Sequence, residues 1–125
     1  LNAVSFTKSS KSKNVAYKKS KAKSISLNKE ISNIYTTGEK AERWYKVKVT
    51  SSKKKRRLEF GEDTVSGGYK FTIYKAGSKK VFKTIKVTQE ASGKMVTLPK
   101  KKGTYYFKIS KLTKKKNGVY EIGYY

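Results

Sequence analysis

The sequence predicts an all-β fold, an antiparallel β-sandwich of the jelly-roll kind with about eight short strands. Three observations carry the prediction. Apolar and polar residues alternate in short runs, most clearly at Gly103-Thr104-Tyr105-Tyr106-Phe107-Lys108-Ile109 and Asn117-Gly118-Val119-Tyr120-Glu121-Ile122. A period of two puts Tyr105, Phe107 and Ile109 on one face of a strand, and Tyr106 and Lys108 on the other. Turn residues punctuate these runs at short intervals, and no stretch carries the 3.6-residue period of a helix.

In chain order, residues 1–24 form a basic leader rich in Ser and Lys, flexible or weakly paired with the rest. Within it Ala3-Val4-Ser5-Phe6 and Val15-Ala16-Tyr17 are each candidates for a short edge strand. The sandwich proper is expected over 25–125. Strands are expected near 25–35, 43–50, 57–62, 68–75, 80–88, 94–98, 104–110 and 118–125. The turns between them are Thr37-Gly38, Ser66-Gly67-Gly68, Ala76-Gly77-Ser78, Ser92-Gly93, Pro99 with Gly103, and Asn117-Gly118. Strand parity points inward Tyr45, Val47 and Val49; Leu58 and Phe60; Tyr69, Phe71 and Ile73; Ile85 and Val87; Tyr120, Ile122 and Tyr124. Val81-Phe82-Lys83-Thr84 breaks the alternation, which predicts a bulge.

A chain of 125 residues is one domain, large enough for a core. Only 35% of it is hydrophobic, but ten Tyr, five Phe and one Trp let a few large rings fill a thin sandwich. Lys and Arg number 32 against 8 acids, a formal net charge of +24. Such a field attracts polyanions: wall polymer, sulfated glycan, nucleic acid or an acidic membrane surface. Only Arg43, Arg56 and Arg57 are arginines. Lysine is a hydrated point charge, so diffuse attraction is expected rather than a shaped anion site, unless the lysines merely solubilise.

With no His and no Cys, the commonest general base and the strongest nucleophile are missing, and the expectation is that the protein is not an enzyme. Glu59, Glu62 and Asp63 are the densest acids and read as counter-charges to nearby lysines. Ser66-Gly67-Gly68 is a turn, because the lysine and helix of a phosphate loop do not follow it. No cofactor or metal is expected. No run approaches the roughly 20 apolar residues that span a bilayer. The chain starts at Leu1, so a processed extracellular or cell-surface protein with its signal peptide removed is expected; cloning would leave the same start.

Basic residues cluster in three connections: Lys53, Lys54, Lys55 and Arg56; Lys79 and Lys80; Lys100, Lys101 and Lys102. If successive strands alternate in direction, these three connections leave one end of the sandwich as a basic, anion-binding pole. The other end receives Asp63, Glu90, Lys114, Lys115 and Lys116. On the outer parity, Trp44, Tyr74, Tyr106 and Tyr125 interleave with Lys46, Lys48, Lys70 and Lys108, and the first three are candidate aromatic contacts.

Several stretches resemble the bacterial pre-peptidase C-terminal domain family. Ile25-Ser26-Leu27 through Ile34 looks like its opening strand, and Trp44-Tyr45-Lys46-Val47-Lys48-Val49 like its aromatic-led second strand. Tyr69-Lys70-Phe71-Thr72-Ile73-Tyr74, followed by Gly77, looks like its central strand and turn. Leu98-Pro99 through Gly103-Thr104-Tyr105-Tyr106-Phe107 looks like its most recognisable stretch, and Gly118-Val119-Tyr120-Glu121-Ile122 like its closing strand. The resemblance covers about residues 25–125. It implies a small sandwich appended to secreted peptidases, acting as a non-catalytic accessory module. Family members often carry acids before the aromatic strand, and some relatives hold calcium there. Here Glu39 and Glu42 sit beside Lys40 and Arg43, which compete for them. Three functions remain open: a secreted module attracting anionic polymers, a nucleic-acid binder, or a structural spacer. Oligomeric state is not legible.

Overall fold

The computed structural model describes residues 15–35, 42–62, 68–88, 93–112 and 118–125. They form two facing β-sheets, as the alternation predicts. Among the described residues there are nine strands: β1 (Lys23–Ser24), β2 (Lys29–Tyr35), β3 (Arg43–Val49), β4 (Arg56–Glu62), β5 (Tyr69–Tyr74), β6 (Val81–Val87), β7 (Lys94–Leu98), β8 (Gly103–Lys111) and β9 (Gly118–Tyr124). One sheet has the order β1-β3-β8-β5-β6 and the other β2-β9-β4-β7. All pairings are antiparallel except β1 with β3. From β2 to β5 each strand lies in the sheet opposite its predecessor, so both sheets close together around one core.

The inward parity holds almost throughout. Tyr45, Val47, Val49, Tyr69, Phe71, Ile73, Val87, Tyr105, Phe107 and Ile109 of the five-stranded sheet are buried. They meet Leu58, Phe60, Val96, Leu98, Tyr120, Ile122 and Tyr124 of the other sheet. Ile85 is only partly buried, because β6 is an edge strand. Phe60 sits at the centre, 4.2 Å from the Phe71 ring and edge-on to Phe107 at 5.8 Å. The expected bulge is present. Ile73 faces Lys83 while Tyr74 faces Val81, so Phe82 is the extra residue of β6.

Two expectations are corrected. The single strand expected over 25–35 is two strands in different sheets. Asn28 takes a left-handed conformation (φ 63°), which asparagine tolerates well. The Lys29 amide donates to the Ser26 carbonyl (3.2 Å) and the Asn28 amide to the Tyr124 carbonyl (2.7 Å), closing the turn between them. Arg43 is expected to compete for the Glu42 carboxylate. It shares the parity of Tyr45, Val47 and Val49, and it is fully buried. In the leader, Ala3-Val4-Ser5-Phe6 lies outside the described residues. Residues 15–24 run along the edge of β3: the Trp44 amide donates to the Ala16 carbonyl (2.8 Å), and Ala16 and Ala22 are buried.

Replacing Phe60 by Ala removes the ring that bridges both sheets, and is expected to lower the unfolding free energy by about 3–5 kcal/mol. Met95→Ala, on the exposed side of edge strand β7, is expected to stay within about 0.5 kcal/mol of the parent. Urea unfolding of the two variants checks the contrast.

Candidate functional site

The pairing registers fix where the basic connections emerge. Val49, the last residue of β3, faces Gly103, the first of β8. β5 runs against β8 with Ile73 facing Phe107, so Tyr74 ends β5 beside the start of β8. Tyr74 in turn faces Val81, the first residue of β6. In the other sheet Arg56, the first residue of β4, faces Leu98, the last of β7. Connections 50–55, 75–80 and 99–102 therefore leave the same end of the sandwich. Lys53, Lys54, Lys55, Lys79, Lys80, Lys100, Lys101 and Lys102 are exposed there, and Arg56 is half-buried at the start of β4. Asp63, Glu90, Lys114, Lys115 and Lys116, expected at the other end, lie outside the described residues.

Each basic turn is held by its own backbone. The Lys75 amide donates to the Lys80 carbonyl (2.9 Å) across Gly77, whose φ is 67°. The Lys80 amide donates to Ser78 Oγ (3.0 Å) and the Lys53 amide to Ser51 Oγ (3.2 Å). The Tyr105 hydroxyl, reaching out from the core, donates to the Lys101 carbonyl (3.1 Å). Gly103 joins two of these turns: its φ is 152°, and a Cβ there would stand 2.8 Å from the Ala76 Cβ. Only a residue without a side chain lets the turns at 75–80 and 99–102 come so close.

Trp44, Tyr74 and Tyr106 share the outer face of the five-stranded sheet, on neighbouring strands β3, β5 and β8. Trp44 and Tyr74 stack at 5.5 Å. Lys19, in a short 3-10 turn over Lys19–Lys21, sets its Nζ 5.0 Å from the centre of the Tyr106 ring and 5.4 Å from that of Tyr74. Lys46 Nζ lies 6.0 Å from the Tyr106 ring centre and Lys108 Nζ 5.8 Å from that of Trp44. Lys108 also donates to Glu42 (3.1 Å), and that carboxylate holds the ammonium above the usual lysine range. Trp44 and Tyr74 are thus engaged with each other, and each of the three rings has one of the chain's own cations near it.

Three other acids stand on the other sheet. Glu30, Glu59 and Glu121 line a hollow of about 130 Å³ on its outer face, over Gly61 and Gly123. Glu59 is bonded by Arg57 (2.7 Å), whose guanidinium lies 5.0 Å from the Tyr125 ring centre. The side chain of Glu62, and Asp63, lie outside the description, as do Glu39 and Lys40. Tyr125 keeps its outer parity, and its hydroxyl reaches Glu30 at 3.4 Å.

Sequence reasoning missed the buried polar cluster and a groove. Arg43 Nη1 donates to the Tyr120 hydroxyl at 3.5 Å, which pairs with the Tyr45 hydroxyl at 2.5 Å. Burial, then the neighbouring Tyr120, pushes the Tyr45 phenol far above the ordinary tyrosine range. The strand parity of Arg43 was the available signal. The groove, about 540 Å³, lies where the turn after β1 meets β3 and β8 near the basic end. No single segment of sequence carries a signal for it.

No family model matches the chain, and no curated protein does. Among solved structures it is similar to the pre-peptidase C-terminal domain of a collagenase from Bacillus anthracis. The TM-score is 0.64 at 18% identity, over 83% of this chain and 94% of that one. That likeness is one of fold. A domain of CENP-C from Drosophila melanogaster gives 0.37 at 16% identity over 94% of this chain and 79% of that one, too low to carry an argument.

Two outcomes follow from this geometry. Gly103→Ala meets both a disfavoured φ and the Ala76 contact, and is expected to cost about 1–3 kcal/mol; its thermal midpoint checks this. The raised phenol of Tyr45 keeps its proton in the folded chain after the unfolded chain has begun to lose it, near pH 10. Stability is therefore complete below that pH and falls as pH rises beyond it, by about 1.4 kcal/mol per unit for one such group. Lysine titration is common to the parent and to Tyr45→Phe, so the parent should lose stability more steeply than the variant above pH 10. Parallel curves would mean that this phenol does not couple to folding.

Proposed function

We propose that this domain is a non-catalytic accessory module of a secreted protein, and that it holds anionic polymers at its lysine-rich end. The observation that supports the reading best is the shared end of the three basic connections, with Gly103 bringing two of them into contact. The placing of charge adds to it, because Glu30, Glu59 and Glu121 stand on the outer face of the other sheet rather than in these connections. The likeness in fold to a domain of a bacterial collagenase supports attachment to a secreted partner. Among the described residues no helix is long and apolar enough to cross a membrane.

The mechanism is electrostatic capture. Ammonium groups on long stems follow a polymer whose charges are irregularly spaced, and the interaction is screened over about 8 Å at physiological salt. Base stacking is not required, since Trp44 and Tyr74 already stack on each other and Lys108 lies over Trp44. Binding of heparin, teichoic acid, single-stranded DNA and a neutral glycan, each titrated with salt, tests the reading. All three polyanions should bind with steep salt dependence and the neutral glycan should not. The triple variant Lys79→Gln, Lys80→Gln, Lys101→Gln should weaken each polyanion by roughly tenfold. Selective binding of DNA that survives moderate salt would replace this reading with nucleic-acid recognition, and no binding to any probe would leave a spacer.

A further inference from the structure

The three arginines have three different fates. Arg43 is buried with Tyr120. Arg57 is committed to Glu59 and to the Tyr125 ring. Arg56 meets no carboxylate among the described residues, and it lines the 540 Å³ groove. Its Nη1 donates to the Lys55 carbonyl at 3.4 Å. Its positive charge opposes the upward push that burial exerts on the Tyr124 phenol. Tyr124 in turn donates its hydroxyl to the Lys48 carbonyl at 2.8 Å. Among the described residues, Arg56 thus lines the groove clear of any carboxylate, beside a tyrosine whose ring belongs to the core.

The rest of the groove differs in chemistry from the lysine turns. Lys46 and Lys48 flank it from β3, the half-buried Tyr106 ring gives it an apolar wall, and Ser24 and Thr104 contribute hydroxyls. Its volume falls within the roughly 300–1,000 Å³ of small-ligand sites. A planar guanidinium can take an oxyanion through two parallel hydrogen bonds, which lysine cannot. Hydroxyl groups suit a polyol, and an aromatic wall suits the C–H face of a sugar ring.

We infer that this groove binds one unit of an acidic saccharide, with Arg56 on its carboxylate or sulfate, Tyr106 against the ring, and Lys46 and Lys48 steering the charge. The inference deepens the polyanion reading by giving it a recognition subsite beside the lysine turns. A single binding ring and a hydroxyl-rich lining favour a sugar over a nucleic acid, whose successive bases would call for a series of open rings.

The test uses tetrasaccharides, too short to report on general polymer capture. Hyaluronan carries carboxylate only, chondroitin 4-sulfate carries carboxylate and sulfate, and chitotetraose is neutral. Amide shift mapping on the intact chain should show saturable changes confined to 24–27, 46–50, 56 and 104–106 with at least one acidic tetrasaccharide and none with chitotetraose. Binding to hyaluronan would identify the carboxylate as sufficient; binding to chondroitin sulfate alone would identify the sulfate. Arg56→Gln with Tyr106→Ser should lower the affinity at least tenfold at moderate salt, whereas Lys83→Gln with Lys86→Gln, an equal or larger loss of charge on β6, should not. Matching spectra away from the groove confirm that the variants stay folded.

Equal losses from both variants, shifts spread over the lysine turns, or no tetrasaccharide binding would each overturn the subsite. Polymer capture by heparin and teichoic acid could survive all three, so failure of the subsite and failure of the wider reading are separable.

Discussion

The structure depends on accommodating a formal net charge of +24, carried mostly by lysine, while two sheets close on a dry layer of rings. A domain this charged repels itself, and every lysine forced inward would add a large desolvation cost. Period-two alternation meets the constraint, since one parity of each strand is apolar or aromatic and the other takes the charge. The buried exception, Arg43, lies at the start of β3 against Tyr120, where the ring face and the phenol oxygen both favour a cation. Phenylalanine alone would fill the same volume. Tyrosine does more here, because its oxygen can finish the hydrogen bonding of whatever borders the core.

That property links the interior to the surface. Tyr45 and Tyr120 bond across the two sheets. Tyr105 fills the core with its ring and holds the Lys101 carbonyl with its hydroxyl. Tyr124 does the same for Lys48, one sheet reaching the other. The basic end is thus braced from inside by core side chains. The backbone that carries its lysines is held by these bonds, so ordering it would add no further entropic cost on binding.

Strand parity was legible because it is local. The alternation of 43–49 and 103–109 is visible residue by residue, and Phe82 betrayed its bulge by breaking the pattern. The end from which each connection leaves followed from direction alone. What failed did so for physical reasons. Asn28 sits in an otherwise strand-like run, and only a left-handed residue and a bond to the Tyr124 carbonyl, which lies far away in sequence, divide it. Arg43 had the parity of a core residue and the chemistry of a surface one, and parity won. The bond from Trp44 to Ala16 and the groove beside Arg56 arise from segments distant in sequence. A pattern read along the chain contains neither.

Glycine, not lysine, decides how concentrated the charge becomes. Lysines in three separate turns would lower their mutual repulsion by moving apart, and exposed connections ordinarily let them. Gly103 removes that option for two of the turns. It takes a conformation that side chains resist, and it brings the 99–102 connection against Ala76 in the 75–80 turn, while Tyr105 and the Lys75–Lys80 backbone bond keep both turns in shape. Like charges held together there repel one another, and under the polyanion reading a bound anion would relieve that repulsion. A surface that merely needed lysines for solubility would gain nothing from such an arrangement, whereas one that captures a polyanion gains a field denser than its sequence spacing alone would provide.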